Sequence, residues 1–225
     1  MRREEAAVTP ASIDVPDTFA DLLHNLGDVP PHRVLWRSYP ATEDDVVRLA
    51  DGEPKRLCEL VDGVLVEKAM GFRESLFATI LGAYVVEFVR PRRLGIVAGA
   101  DALMRLFPGI VRIPDLAFTA WKNLPAPTAH LKPVAHFTPD LAVEVISDSN
   151  TKAEIDRKIG EYFRSGSKLV WVFDPNKDAT EVYTSAEDVV RLAPTDVLSG
   201  DPVLPGFRLS LAELFADPQL NPRPE

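Results

Sequence analysis

The sequence predicts an α/β or α+β fold in which a mixed β-sheet is flanked by helices. Three stretches carry that expectation. Leu57-Cys-Glu-Leu-Val61, Asp62-Gly63 and Val64-Leu-Val66 read as a β-hairpin, because Asp-Gly supplies the two positive-φ residues of a type I′ turn. Over 72–89 the apolar period changes: Phe72, Leu76, Ile80, Ala83, Val86 and Val89 recur at helical spacing. Leu141-Ala-Val-Glu-Val-Ile146, a helical stretch from Thr151 to Arg164, and Leu169-Val-Trp-Val-Phe173 form a strand–helix–strand run, hence a parallel pair with a right-handed crossover.

In chain order, residues 1–40 hold Pro10, Pro16, Pro30, Pro31 and Pro40 around one short apolar segment, Phe19 to Leu26. They read as an N-terminal extension with at most one helix. After the hairpin and the 72–89 helix, Pro91 is expected to stop that helix. Gly95 to Phe107 reads as two short strands and Val111 to Phe118 as one more. Residues 119–139 contain Pro125, Pro127, Pro133 and Pro139 without a period, so they read as loop. The β-branched run 141–146 suits a buried central strand. Gly166 ends the following helix and Asp174-Pro175 closes the next strand. A hairpin over 180–184 and 188–192 and a terminal helix from Leu209 to Phe215 complete the reading.

Composition sets the outer limits. The chain has 225 residues, 46% hydrophobic and 26% charged, as in ordinary soluble globular proteins, which suits one generous domain with a real core. A single cysteine, Cys58, excludes an internal disulfide framework and a cysteine-based zinc site, and suits a reducing compartment. No apolar run follows Met-Arg-Arg-Glu-Glu, so no signal peptide is expected. No segment reaches the ~18 apolar residues of a membrane span. The expectation is a cytoplasmic protein with no membrane partner. Net charge is −9, and basic residues form only short clusters such as Arg90-Pro91-Arg92-Arg93. That counts against tight metal-free nucleic-acid binding, but a bound divalent cation inverts the local field.

The chemistry-bearing residues are acids in apolar strands. Val111, Ile113, Asp115 and Ala117 share one face of the predicted strand, as do Ala142, Glu144 and Ile146 of the later one. A mid-strand carboxylate is costly unless it is paired or binds a cation. Pro114 implies an edge or a distortion beside Asp115. If the two strands are neighbours, two carboxylates converge, and oxygen ligands of that kind suit Mg²⁺ or Mn²⁺. On the helix, Ile155, Ile159, Tyr162 and Phe163 form the apolar stripe, with Lys158 at its border. A lysine there can orient an attacking water or stabilise charge on a pentavalent phosphate.

Each of these residues also has a structural reading. Glu144 could pair with a buried arginine. Pro-Asp occurs twice, at 114–115 and 139–140, and such pairs often only begin turns. Glu154 and Lys158 have the spacing of a surface salt bridge, and Thr151 with Glu154 that of a capping box. His24, His32, His130 and His136 show no ligand spacing and read as surface residues.

Taken in order, Cys58-Glu-Leu-Val-Asp-Gly63, Arg112-Ile-Pro-Asp-Leu116, Pro139-Asp-Leu-Ala-Val-Glu-Val-Ile-Ser147, Lys158 to Tyr162 and Val170-Trp-Val-Phe-Asp-Pro175 resemble the Uma2 family. Those proteins are restriction endonuclease-like domains of the PD-(D/E)xK nuclease superfamily. The resemblance covers roughly residues 41 to 216, leaving 1–40 as extension and 217–225 as a C-terminal tail. It implies a restriction endonuclease-like fold, with Asp115 and Glu144 as metal ligands. The superfamily's lysine two residues after the Glu is replaced by Ile146, and Lys158 matches a lysine that has moved to the following helix. Asp140 is too near Glu144 in sequence to act as the other strand's acid. Glu74 stands where superfamily members often carry an acid near the metal, and many Uma2 relatives carry His. Glu59 matches a recurrent family position, and strand alternation also permits it a structural, hydrogen-bonded role.

Two functions of different class follow. One is a Mg²⁺- or Mn²⁺-dependent endonuclease that cleaves DNA by in-line attack of a metal-activated water, without an organic cofactor. A homodimer would give it two centres. The other is a catalytically silent scaffold that binds a partner, for which Asp17, Asp21, Glu43, Asp44 and Asp45 would suit a basic surface. It predicts a salt-bridged Glu144 and a Lys158 that points to solvent. A hydrolase of RNA or a small nucleotide is a third option, with the same metal site and a narrower cleft.

Overall fold

Thr18 opens α1 (Phe19–Asn25) with a capping box, its hydroxyl accepting from the Asp21 amide while the Asp21 carboxylate accepts from the Thr18 amide. This computed structural model describes residues 16–35, 40–69 and 71–220, so Pro10 and residues 221–225 of the expected tail lie outside the described residues. A 3-10 turn at Pro31–Arg33 leads into β1 (Val34–Leu35), which pairs antiparallel with a later strand at Val66 and Leu65. Leu22, Leu26 and Val29 are buried. Gly27 shows how closely this segment is packed: at φ +87°, a Cβ there would lie 2.7 Å from the backbone of Glu154. The described part of the N-terminal segment is thus built into the core, because its few apolar residues find partners on another element.

α2 (Glu43–Ala50), absent from the sequence reading, starts from a second capping box between Thr42 and Asp45. The expected hairpin is present as β2 (Cys58–Val61) and β3 (Val64–Glu67), with Asp62 at φ +50° and Gly63 at φ +79°. α3 spans Phe72–Arg92 and so runs through Pro91, ending at Arg93 with φ +52°. A proline in the last turn loses only one hydrogen bond, so here it does not stop the helix. β4 (Gly95–Gly99) and β5 (Leu103–Phe107) follow as expected.

The strand expected over 111–118 is two strands, β6 (Ile110–Arg112) and β7 (Leu116–Ala120), in different sheets. Pro114 lacks the amide a continuous ladder needs, and the chain changes sheet across Ile113-Pro114-Asp115. The shared face of Val111, Ile113, Asp115 and Ala117 therefore does not exist as one surface. The 119–139 region carries 3-10 turns at Trp121–Asn123 and Ala129–Leu131 and the short β8 (Val134–Ala135), parallel to β5.

β9 (Leu141–Val145), α4 (Lys152–Ser165) and β10 (Leu169–Asp174) form the expected parallel unit, with Gly166 closing α4 at φ +113°. β11 (Ala179–Tyr183) and β12 (Val189–Leu192) pair as the predicted hairpin. β13 (Val197–Ser199), β14 (Arg208–Ser210) and α5 (Leu211–Phe215) complete the described chain.

One sheet runs β1-β3-β2-β6-β5-β8, the other β12-β11-β10-β9-β7-β4. The second sheet packs Leu116, Phe118, Val143, Val145, Trp171 and Phe173 against α3 and α5. Its opposite face, with Ala142, Val170 and Val172, packs on Ile155, Ile159 and Tyr162 of α4. The same cluster takes in Val61, Val64 and Val66 of the first sheet, so α4 lies between the sheets. Side chains alternate along β9, so Glu144 shares the α4-facing side with Ala142. No described helix is long and apolar enough to cross a membrane.

Candidate active site

Asp115 is fixed at the sheet change. Its amide donates to the Val143 carbonyl at 2.9 Å, and its Oδ2 accepts from the Val145 amide at 2.6 Å. The backbone groups on either side of Glu144 thus bond to Asp115, close enough for the Asp115 charge to act on the Glu144 carboxyl. Glu144 Oε2 lies 3.1 Å from Lys158 Nζ, and Oε1 accepts from the Tyr162 hydroxyl at 2.6 Å. Lys158 also reaches Glu59 Oε1 at 3.1 Å. Asp115, Glu144, Lys158 and Glu59 are all buried, Lys158 with its side chain only 4% exposed. The border position expected for Lys158 is in fact an interior one, because the first sheet covers α4.

Two residues that the sequence reading had not singled out complete the site. Lys68, just after β3, places Nζ 2.8 Å from Asp115 Oδ1 and also donates to the Ile113 carbonyl. Arg112 donates to Glu59 Oε2 at 2.8 Å and to Glu161 Oε2 at 2.6 Å. Glu59 Oε1 further accepts from the Ile113 amide at 3.1 Å. Both backbone groups of Ile113 are therefore satisfied by side chains where the ladder breaks, which is how a buried break is tolerated. Arg112 had a legible signal, a cation in an apolar run just as Glu144 is an acid in one. Lys68 had none, since it follows a hairpin as many surface lysines do. Tyr162, read as part of an apolar stripe, puts its ring in the core and its hydroxyl on Glu144.

The buried arginine considered for Glu144 pairs with Glu59 instead. Glu154 is not in a surface pair: it is buried and forms a two-pronged contact with Arg33, at 2.7 and 2.9 Å. Thr151 caps α4 by accepting from the Glu154 amide, while the Glu154 carboxylate turns to Arg33 and Asn150, so the reciprocal half of the capping box is not formed. Glu74 lies in the first turn of α3 with its carboxylate folded back against Gly71. Among the described residues it makes no ion pair or hydrogen bond with the cluster. Asp140 sits apart, bound to Lys168, Asn123 and the Ala120 amide. His136 pairs with Glu43 at the surface.

The electrostatics separate the acids. Burial pushes the Glu144 carboxyl up, Lys158 pulls it back, and the neighbouring Asp115 charge pushes it up again; the net direction is upward. Burial also acts on Glu59, but Lys158, Arg112 and Lys68 together outweigh it and hold that carboxyl well below its ordinary value. Lys158 is disfavoured by burial and stabilised by Glu144, Glu59 and Glu154, so its ammonium stays charged far above its usual range.

Asp115 lines a cavity of about 220 Å³ with Ser75, Thr79, Gly82, Gly99 and Ala100. A larger crevice of about 480 Å³ runs along Ile146, Ile155, Val172 and Tyr183 and includes neither Asp115 nor Glu144. The smaller space reaches Asp115 alone of the cluster. Among the described residues no group of three or more His, Cys, Asp or Glu gathers to hold a metal. The donor set still fits Mg²⁺ or Mn²⁺, which take one or two carboxylates and complete their shell with water and substrate phosphate. Among the described residues no imidazole or thiolate joins these acids in a group of three, so the set does not fit a structural zinc site.

The family model described as "Putative restriction endonuclease" (Uma2) matches residues 44–212. Among solved structures, the fold is similar to the "crystal structure of a putative nuclease belonging to DUF820 from Anabaena variabilis ATCC 29413", with a TM-score of 0.68 and 20% identity over 78% of this chain and 98% of that one. At that identity the likeness is one of fold. No curated protein matches the chain. The family match spans three quarters of the sequence, and the chain belongs to the Uma2 family.

Proposed function

We propose that this protein is a divalent-metal-dependent endonuclease that hydrolyses phosphodiester bonds of DNA. The observation that carries the reading is the adjacency of Asp115 and Glu144, joined by the Val145 amide, with Lys158 on Glu144. Two neighbouring carboxylates, one with its carboxyl raised partly by the other's charge, form a seat for a cation. In this reading Asp115 and Glu144 hold Mg²⁺ or Mn²⁺, which when bound polarises the phosphoryl oxygen and lowers the pKa of a water.

The chain's own groups do the rest. Lys158 brings a permanent positive charge to the Glu144 carboxylate, where it can orient the attacking water and stabilise negative charge building on the phosphate. Tyr162 fixes the other Glu144 oxygen and so the plane of that carboxylate. Glu59 acts through Lys158 and is a positioning residue. Glu74 precedes Ser75 of the cavity wall in sequence, and its own carboxylate turns to Gly71. A homodimer, measurable by light scattering, would present two such centres to a duplex.

The scaffold reading draws on one observation: each carboxylate oxygen of Asp115 and Glu144 already has a protein partner. Against it, Lys158 does not point to solvent. Calorimetric titration with Mn²⁺ and Mg²⁺ on wild type and Glu144→Gln, with plasmid cleavage in the same buffers, separates the two. Metal binding lost in the variant together with cleavage supports the nuclease. A wild type that neither binds metal nor cuts assigns the carboxylates to the scaffold.

A further inference from the structure

Around the two carboxylates the protein supplies two ammonium groups, one to each acid, but holds them differently. Lys158 lies between two carboxylates, Glu144 and Glu59, on the face of α4 that is packed between the sheets. Lys68 has one carboxylate and one carbonyl, and it projects from the irregular segment between β3 and α3. Its backbone is anchored, the Lys68 amide donating to the Leu57 carbonyl at 2.9 Å. Its side chain, only 3% exposed, reaches Asp115 on a four-carbon stem. The acid it neutralises is the one that lines the 220 Å³ cavity.

We propose that Lys68 is a built-in counter-cation that occupies the metal's place on Asp115, and that a divalent ion binds by displacing its ammonium group from Oδ1. The inference rests on the nuclease reading above. Its physical basis is charge balance. Asp115, Glu144 and Glu59 are matched locally by Lys68, Lys158 and Arg112. Adding two positive charges among these buried side chains without releasing a cation would leave excess charge buried, which is strongly unfavourable. Lys68 is the cation with the fewest anionic partners, one against two for Lys158 and Arg112, and its partner Asp115 is the acid that lines the cavity. In the metal-free protein it keeps Asp115 from standing unpaired beside Glu144, which stabilises the fold and weakens the metal site by the same contact.

The test is Mn²⁺ calorimetry on wild type, Lys68→Gln, Lys68→Met and Glu144→Gln, with melting curves in chelator and in Mn²⁺. Lys68→Gln keeps hydrogen-bonding capacity towards Ile113 and Asp115, so it remains informative if the methionine variant fails to fold. The expected result is Mn²⁺ binding at least roughly tenfold tighter in Lys68→Gln than in wild type. The variant should also melt lower in chelator and gain more from Mn²⁺. In ¹⁵N-lysine-labelled wild type, the Lys68 ammonium signal, assigned by its loss in Lys68→Gln, should shift on saturation with diamagnetic Mg²⁺. Equal or weaker Mn²⁺ affinity in Lys68→Gln, or an unmoved signal, overturns the inference. If wild type binds Mn²⁺ through Glu144 while Lys68→Gln is unchanged, only this inference falls. If no form binds metal, the nuclease reading falls with it.

Discussion

Two groups of buried charge meet at Lys158, and they are built from different cations. On one side Arg112 holds Glu59 and Glu161, and Arg33 holds Glu154 through both carboxylate oxygens. On the other, Lys68 and Lys158 hold Asp115 and Glu144. A guanidinium is a planar fork that fixes its partners' geometry, whereas an ammonium is a compact point charge on a flexible stem. The arginine side ties α4 to the first sheet and to the N-terminal segment, and its acids are all held below their ordinary range despite burial. The lysine side borders a cavity and contains the one buried acid of the network pushed upward. The contrast separates a fastening from a site whose charges can be exchanged.

The arginine side should prove indispensable to stability. Arg112→Met takes one cation from each of the buried acids Glu59 and Glu161, leaving them Lys158 and Arg157, and urea unfolding should show a loss of up to about 3–5 kcal/mol. A change under 1 kcal/mol would mean that these pairs do not fasten α4. On the lysine side, Lys158→Met should reduce plasmid cleavage about 100-fold or more, roughly the 2.7 kcal/mol or more that one well-placed electrostatic group contributes to a transition state. An unchanged rate would remove Lys158 from the reaction.

On acid titration the two sides have opposite signs. Glu59 is depressed, so its stabilisation is complete above its unfolded value, 4.5, and is lost as pH falls through its folded value. Glu144 is raised, so the folded state binds the extra proton, and stability declines as pH climbs from 4.5 through its folded value. Each group contributes a slope of at most about 1.4 kcal/mol per pH unit. Glu59→Gln should flatten the acid limb of stability against pH, and Glu144→Gln the decline above 4.5. Identical effects from both variants would erase the distinction between the sides. The smallest effect belongs to the exposed face of the same helix. Lys152→Ala, which breaks the surface pair with Asp156, should change unfolding free energy by less than about 0.5 kcal/mol.

Local order was legible because it depends on local chemistry. The Asp62-Gly63 turn, the β9–α4–β10 unit, the 180–192 hairpin and the Gly166 stop each follow from turn residues or periodicity within a few positions. Asp115, Glu144 and Lys158 could be singled out as charges set in or beside apolar patterns, which must have partners wherever they pack. The identity of those partners was decided only by tertiary structure. Nothing near Lys68 in sequence indicates that its ammonium meets Asp115 forty-seven positions later. Likewise, Glu154 looked like a capping and surface residue until Arg33 arrived from the N-terminal segment. Pro114 announced a disturbance, but whether it would be an edge or a passage between two sheets depended on which strands lay beside it. Periodicity records which side of an element is buried, whereas ion pairing between distant segments depends on how whole elements pack, and that arrangement is not written at either partner's position.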